Sequence, residues 1–286
     1  MAANRHRRSG RGAHRVRLAV IAVRIVALVV AAVALFATRG VPARKPAAWL
    51  TAAPVAHRGD WTTGPERPEN SLAAFEAAAD RSLAIELDVQ LTSDGVVVVL
   101  HDEDLARMTG RPGRVADTPY AEVAARHLQG GAETVPALSE ALTVVNGRVP
   151  VFVEVKSPPQ VGPLEEAVAR ELADYRGPAA VMSFNPYSLR HMASVAPDLP
   201  RGQLSGDFEG EDLAWYEVFL LRHLLMNWAS KPDFVAMDLD LVPSVTTTVQ
   251  RGWGRPLLCW TAENPADAAL AARHCDGVIG DPGSRS

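Results

Sequence analysis

The chain has 286 residues, 48% hydrophobic and 22% charged, the balance of a globular enzyme rather than of a disordered or fibrous protein. The formal net charge is −4, but Arg5, Arg7, Arg8, Arg11, Arg15 and Arg17 gather at the N-terminus. The remainder is therefore clearly acidic, which argues against nucleic acid as a partner of the folded part. Cys259 and Cys275 are too few for a disulfide framework or a thiol metal site. Buried free thiols are the simpler expectation, and pairing is the alternative.

Residues 1–17 form a basic N-terminus, and 18–37 are apolar except for Arg24. Twenty helical residues rising about 1.5 Å each span roughly 30 Å, the thickness of a bilayer core. Arg24 can snorkel to the headgroups. The preceding arginines favour a cytoplasmic N-terminus and place the rest of the chain outside, although Arg39, Arg44 and Lys45 at the far end weaken that asymmetry. A single-pass signal anchor is expected. A cleaved signal peptide, with Ala34 and Ala37 near the cut and a secreted domain, is the alternative. A buried helix fits worst, because so long a run lacks a polar face. Residues 38–53, with Pro42 and Pro46, read as a linker.

From residue 54 to 286, short apolar runs alternate with helical patterns. Strands are expected at 54–57, 84–88, 150–155, 179–182, 201–204, 234–237, 256–260 and 277–279, with helices at 70–81, 163–174, 186–195, 213–228 and 266–273. Eight such strands predict an α/β fold, a (β/α)8 TIM barrel. The run 96–100 adds a short β-hairpin insertion after strand 2. Asp94-Gly95 tolerates the positive φ of a two-residue loop, which pairs Ser93 with Val96 and sets Asp88 opposite His101. Residues 205–228, acidic and then strongly apolar, read as an ordinary barrel helix, with a lip touching lipid as the alternative.

On this frame His57, Asp88, Glu154, Lys156 and Trp260 end strands, at the C-terminal mouth where barrel enzymes carry their chemistry. Alternation turns Leu87 and Val89 toward the helices and Glu86 and Asp88 toward the mouth. Glu86, Asp88 and Glu154 can share one divalent cation, and oxygen ligands alone suit Mg²⁺ or Ca²⁺. The competing reading is three solvated strand-end acids. His57 and His101 can serve as base and acid near neutral pH, or be structural. Arg58 and Lys156 supply fixed positive charge for a phosphate, unless they merely pair with neighbouring acids. In Pro68-Glu69-Asn70-Ser71, Asn70 or Ser71 caps the following helix, and Glu69 stands near its positive end or reaches the metal or substrate.

His57-Arg58-Gly59, Pro68-Glu69-Asn70-Ser71, Glu86-Leu87-Asp88-Val89, His101-Asp102, Glu154-Val155-Lys156, Ser183-Phe184, Trp260-Thr261-Ala262-Glu263-Asn264 and Asp276-Gly277-Val278-Ile279-Gly280-Asp281-Pro282 follow one another in an order that resembles the glycerophosphodiester phosphodiesterase family. The resemblance spans residues 55–282. It implies a barrel that cleaves a phosphodiester to an alcohol and a phosphomonoester. By position, Glu86, Asp88 and Glu154 match the metal ligands, His57 and His101 the acid/base pair, and Arg58 and Lys156 the phosphate contacts. Trp260 and Glu69 fall in the substrate pocket. The chain departs from the pattern at Ser71 and Gly280, where the family often has Thr, and around 262–264. The implied substrate is a small glycerophosphodiester. A lysophospholipid at the membrane is the nearest rival, and a non-catalytic phosphate-polymer binder or a glycosidase are more distant ones.

Overall fold

The computed structural model describes residues 5–40, 45–156 and 160–285. Residues 1–4 of the basic N-terminus, 41–44 of the expected linker, and Ser286 lie outside the described residues. A long helix, α1 (Arg5–Arg39), leads into nine strands: β1 (Val55–Ala56), β2 (Ala84–Leu91), β3 (Val97–Val99), β4 (Val151–Val155), β5 (Ala179–Ser183), β6 (Arg201–Ser205), β7 (Phe234–Asp238), β8 (Leu257–Ala262) and β9 (Gly277–Gly280). Eight are parallel and close on themselves through β1, which pairs with both β9 and β2; β3 lies antiparallel on β2. This is the TIM barrel expected from the alternating pattern.

Alternation sorts the strand residues into two layers. Leu87, Val89, Val153 and Val155 join Phe75, Leu138 and Leu164 between barrel and helices. Ala84, Phe152, Ala180, Phe234 and Leu258 fill the barrel interior. Part of the stretch expected as linker closes the barrel floor. Leu50 is buried in the interior cluster, and Trp49 packs edge-on against Phe152 at 5.6 Å.

The hairpin register differs from expectation by one residue. Val89 pairs with Val99 and Leu91 with Val97, so the loop holds three residues, Ser93, Asp94 and Gly95, closed by Thr92 N–H to Val96 O at 3.0 Å. Thr92 Oγ1 bonding Asp94 Oδ1 at 2.7 Å stabilises this longer loop. Asp88 therefore meets Leu100, whose N–H donates to Asp88 O at 3.0 Å. A one-residue slip would normally send His101 to the other face. It does not here, because β3 ends at Val99 and the chain beyond leaves the ladder.

The insertion after β2 is also larger than a hairpin. Val98, Leu105, Met108, Val115, Val123 and Leu128 form a separate small core. Helices Leu138–Val145 and Val245–Gly252 were not expected from the sequence. The run 213–228 is not one barrel helix. It divides into Trp215–Arg222, in which no residue is fully buried, and Asn227–Ser230. An ordinary barrel helix buries one face, whereas Trp215–Arg222 contributes to the rim above the strands.

The end of α1 is seated on the barrel. Thr38 O accepts from Asn227 Nδ2 at 3.0 Å and Gln250 Nε2 at 3.1 Å, and Gly40 O accepts from Arg255 Nη2 at 2.6 Å. Carbonyls left without partners at a helix C-terminus are thus satisfied by barrel side chains. The stretch Val20–Arg39, which includes this seated end, is long and apolar enough to cross a bilayer. The free-thiol expectation is corrected: Cys259 and Cys275 form a disulfide, with Cα atoms 6.1 Å apart. Cys259 lies on β8, and the following helix, Pro265–His274, returns the chain to Cys275 just before the neighbouring β9.

Candidate active site

Three carboxylates meet at one end of the barrel because two neighbouring strands are in register. Asp88 on β2 pairs with Glu154 on β4, and Glu86 lies two residues earlier on the same face. Their oxygens lie within 4.8 Å of one another. All three are at most 9% exposed, so their repulsion is poorly screened. Burial, then Asp88 and Glu154, push the Glu86 carboxyl well above its usual range. Its Oε2 accepts from the Arg58 backbone N–H at 2.9 Å, while Oε1 is buried without a hydrogen-bond partner. Burial also acts to raise Asp88, but Lys156, His101 and Arg58 together hold it well below the carboxylate range.

The compensating cations are Arg58 and Lys156. Lys156 Nζ stands 2.8 Å from Asp88 Oδ1 and 2.5 Å from Glu154 Oε1. Arg58 Nε lies 3.5 Å from Asp88 Oδ2 and Arg58 Nη1 2.9 Å from Glu69 Oε1. Both are therefore paired with acids, and both also line the cavity. Arg58 has a positive φ of 55°, and Gly59 follows at 87°. A Cβ on Gly59 would come within 2.9 Å of Ala74, so the tight turn after β1 requires glycine there.

Each histidine is held by a carboxylate. His57 Nδ1 lies 2.7 Å from Asp281 Oδ1, and His101 Nδ1 lies 2.7 Å from Asp102 Oδ1. A carboxylate at Nδ1 keeps the proton there and leaves the Nε2 lone pair available. Burial, then Lys156, lowers the His101 pKa. Arg107 ties Asp102 to Glu69, donating to both. Burial alone would raise Asp102, but hydrogen bonds from Arg107 and His101 bring it down to about 2.

Glu69 is engaged by Arg58 and Arg107 and is not among the residues lining the cavity, where it was expected. Trp260 does line it. Ser71, not Asn70, caps the helix Leu72–Asp80, its Oγ accepting from Ala74 N–H at 3.2 Å. Asn70 Nδ2 instead donates to Asp88 Oδ2 at 2.8 Å. Asp281, Arg107 and Gln90 were missed as site residues. Gln90 Nε2 donates to the carbonyls of Leu100 and Asp102 at 2.9 and 2.6 Å, and so shapes the turn that carries His101. The carboxylate beside each histidine was visible only as Asp102 in the His101-Asp102 segment and Asp281 in the segment 276–282.

His57, Arg58, Glu86, His101, Glu154 and Lys156 all border one cavity of about 1120 Å³. Residues 57–282 match the model of the glycerophosphoryl diester phosphodiesterase family. The chain belongs to this family. It is a phosphoric diester hydrolase with glycerophosphodiester phosphodiesterase function. It is 37% identical over 243 residues to a glycerophosphodiester phosphodiesterase of Caldanaerobacter subterraneus, covering 79% of this chain and 93% of that protein. A Bacillus subtilis glycerophosphodiester phosphodiesterase is 28% identical over 239 residues, covering 74% and 77% of the two chains. Among solved structures, an Oleispira antarctica phosphodiesterase in complex with the product sn-glycerol-3-phosphate superimposes with a TM-score of 0.67 at 25% identity, covering 82% of this chain and 94% of that one. The Thermotoga maritima glycerophosphodiester phosphodiesterase gives 0.61 at 26% identity, covering 82% and 96%.

Proposed function

We propose that this chain is a membrane-anchored, cation-dependent glycerophosphodiester phosphodiesterase that releases glycerol 3-phosphate and an alcohol, with His57 and His101 as its proton-transfer pair. The observation that carries the reading is that two imidazoles, each tethered at Nδ1 by a carboxylate, share one cavity with Glu86 and Glu154, and Asp88 completes the acid cluster from just behind that wall.

The three acids fit a divalent cation. Their negative charge exceeds the compensation from Arg58 and Lys156, and Glu86 keeps a buried oxygen without a partner. Oxygen donors alone suit Mg²⁺ or Ca²⁺. When bound, such an ion supplies Lewis-acid stabilisation of phosphoryl charge. Glu86, Asp88 and Glu154 would hold it, and Asn70 orients Asp88. Arg58 and Lys156 bind the phosphate oxygens and stabilise the charge that grows there. The Nε2 of one histidine takes the proton of a neighbouring substrate hydroxyl as it attacks phosphorus. The other histidine protonates the leaving alcohol, and water then opens the cyclic phosphate.

The anchor reading is supported by the apolar length of Val20–Arg39 and by the arginines before it. The Cys259–Cys275 disulfide fits a domain outside the cytoplasm. In this reading residues 1–17 are cytoplasmic, 18–37 span the membrane, 38–53 connect, and 54–286 form the catalytic barrel.

A second reading, lysophospholipase D activity on acylated diesters, is favoured by the cavity's size and by the apolar wall that Leu213, Leu220, Leu221 and Met226 add to it. Both are tested with the full-length chain assayed on glycerophosphocholine and lysophosphatidylcholine in EDTA, Mg²⁺ or Ca²⁺. Cation-dependent release of glycerol 3-phosphate, lost in His57→Ala and His101→Ala, is the expected result. Turnover of the acylated substrate alone selects the second reading. Full activity in EDTA or in both variants rejects the mechanism.

A further inference from the structure

The cavity has two chemically different halves. His57, Arg58, Glu86, Glu154 and Lys156 enter from the arc formed by β1, β2 and β4. The opposite arc, running from β5 through β8, supplies Phe184 and Phe208 from just beyond β5 and β6 and Trp260 from within β8. The Phe184 ring packs edge-on against Phe208 at 5.8 Å and against Trp260 at 5.5 Å. Phe208 holds its place with a positive φ of 61°, uncommon for a phenylalanine.

Acids accompany the rings. Asp207, Glu209, Glu211 and Glu217 line this half, and every Lys, Arg or His lining the cavity, namely His57, Arg58, His101 and Lys156, comes from the other. Gly206 leaves open the space between the Trp260 ring and Asp238. A Cβ there would lie 3.3 Å from the ring and 3.5 Å from Asp238 Oδ2. Burial raises the Asp238 carboxyl against the hydrogen bond it accepts from the Asp240 backbone N–H, and the charges of Asp240 and Asp207 add to the rise; neither Asp238 nor Arg222, the cation acting on it, lines the cavity.

We propose that the Phe184, Phe208 and Trp260 rings with Asp207 form the subsite for the leaving alcohol, and that they select a cationic head group, above all a quaternary ammonium. The inference rests on the phosphodiesterase reading of the cavity. Aromatic faces attract a cation through their quadrupole, and a weakly hydrated quaternary ammonium loses little on leaving water. The carboxylates add charge attraction without requiring N–H donors. The phosphate is then held by Arg58 and Lys156 on one arc and the ammonium on the aromatic one, which orients the diester across the mouth.

The test compares glycerophosphocholine with the 3,3-dimethylbutyl ester of glycerophosphate, in which a tert-butyl group of the same shape replaces trimethylammonium. With the full-length chain, kcat/KM is expected to favour the choline ester roughly tenfold, as cation–π and ionic contacts together imply. Phe208→Leu and Asp207→Asn should each bring the ratio toward one. Both substrates are measured on one sample, so a partly unfolded variant leaves the ratio intact. Equal rates for the two esters in the parent protein, or a ratio unmoved by both substitutions, overturns the proposal. If neither ester is cleaved, the phosphodiesterase reading fails separately. Calorimetric titration with tetramethylammonium then decides the subsite: saturable binding weakened by Phe208→Leu upholds it, and no binding rejects it.

Discussion

His57 and Asp281 stand 224 positions apart in the chain and 2.7 Å apart in the fold. The contact crosses the seam where β1 pairs with β9 and closes the barrel. Holding the imidazole from Nδ1 fixes its tautomer, so Asp281 acts through His57. Asp281→Asn is expected to lower kcat roughly a hundredfold, the low end of what a proton-transfer residue contributes. Circular dichroism should show an intact fold. Unchanged kcat would make the contact structural only.

Asn70 and Ser71 are adjacent, yet they divide function from stability. Asn70 bonds Asp88, whereas Ser71 caps the helix Leu72–Asp80. Asn70→Ala should raise the cation concentration needed for half-maximal activity by roughly ten- to a hundredfold, as loss of an outer partner of a metal ligand does. Ser71→Ala should cost about 1 kcal/mol of stability and leave the cation requirement unchanged. Activity titrations and urea melts on the two variants separate these effects.

Glu171, on the helix Pro163–Ala173, has a carboxyl that burial raises to about 7, with Oε2 lacking a hydrogen-bond partner. Its folded pKa exceeds the unfolded one, so the folded chain binds more protons between about 4.5 and about 7. The resulting stabilisation is complete below that window and is lost as pH rises through it. Glu171→Gln should flatten this dependence, raising Tm relative to the parent at pH 8 more than at pH 5. Parallel pH profiles of Tm would contradict it.

The Cys259–Cys275 bridge closes a loop of 16-residue separation. Replacing both cysteines with serine should cost about 3 kcal/mol by the loop-entropy relation. Chemical denaturation with and without dithiothreitol provides the check: the reductant should destabilise the parent and leave the double variant unaffected.

The strand and helix periodicities of the chain determined the barrel, because a run such as Val151–Val155 buries its two faces against different layers whatever surrounds it. The same alternation set Glu86, Asp88 and Glu154 on the inner face, and the ordered motifs carried the family. Local chemistry was less decisive at the hairpin, where one residue added to the loop moved the register while His101 still reached the cavity. What only the tertiary structure decided are the contacts made across the closed sheet: Asp281 on His57, Asn227 and Gln250 on the end of α1, and Cys259 on Cys275. The division of the mouth into a half that carries the histidines, Arg58 and Lys156 and an aromatic half belongs to the same class. Each depends on which strands become neighbours when the barrel closes, and periodicity along one segment carries no information about that distance in space.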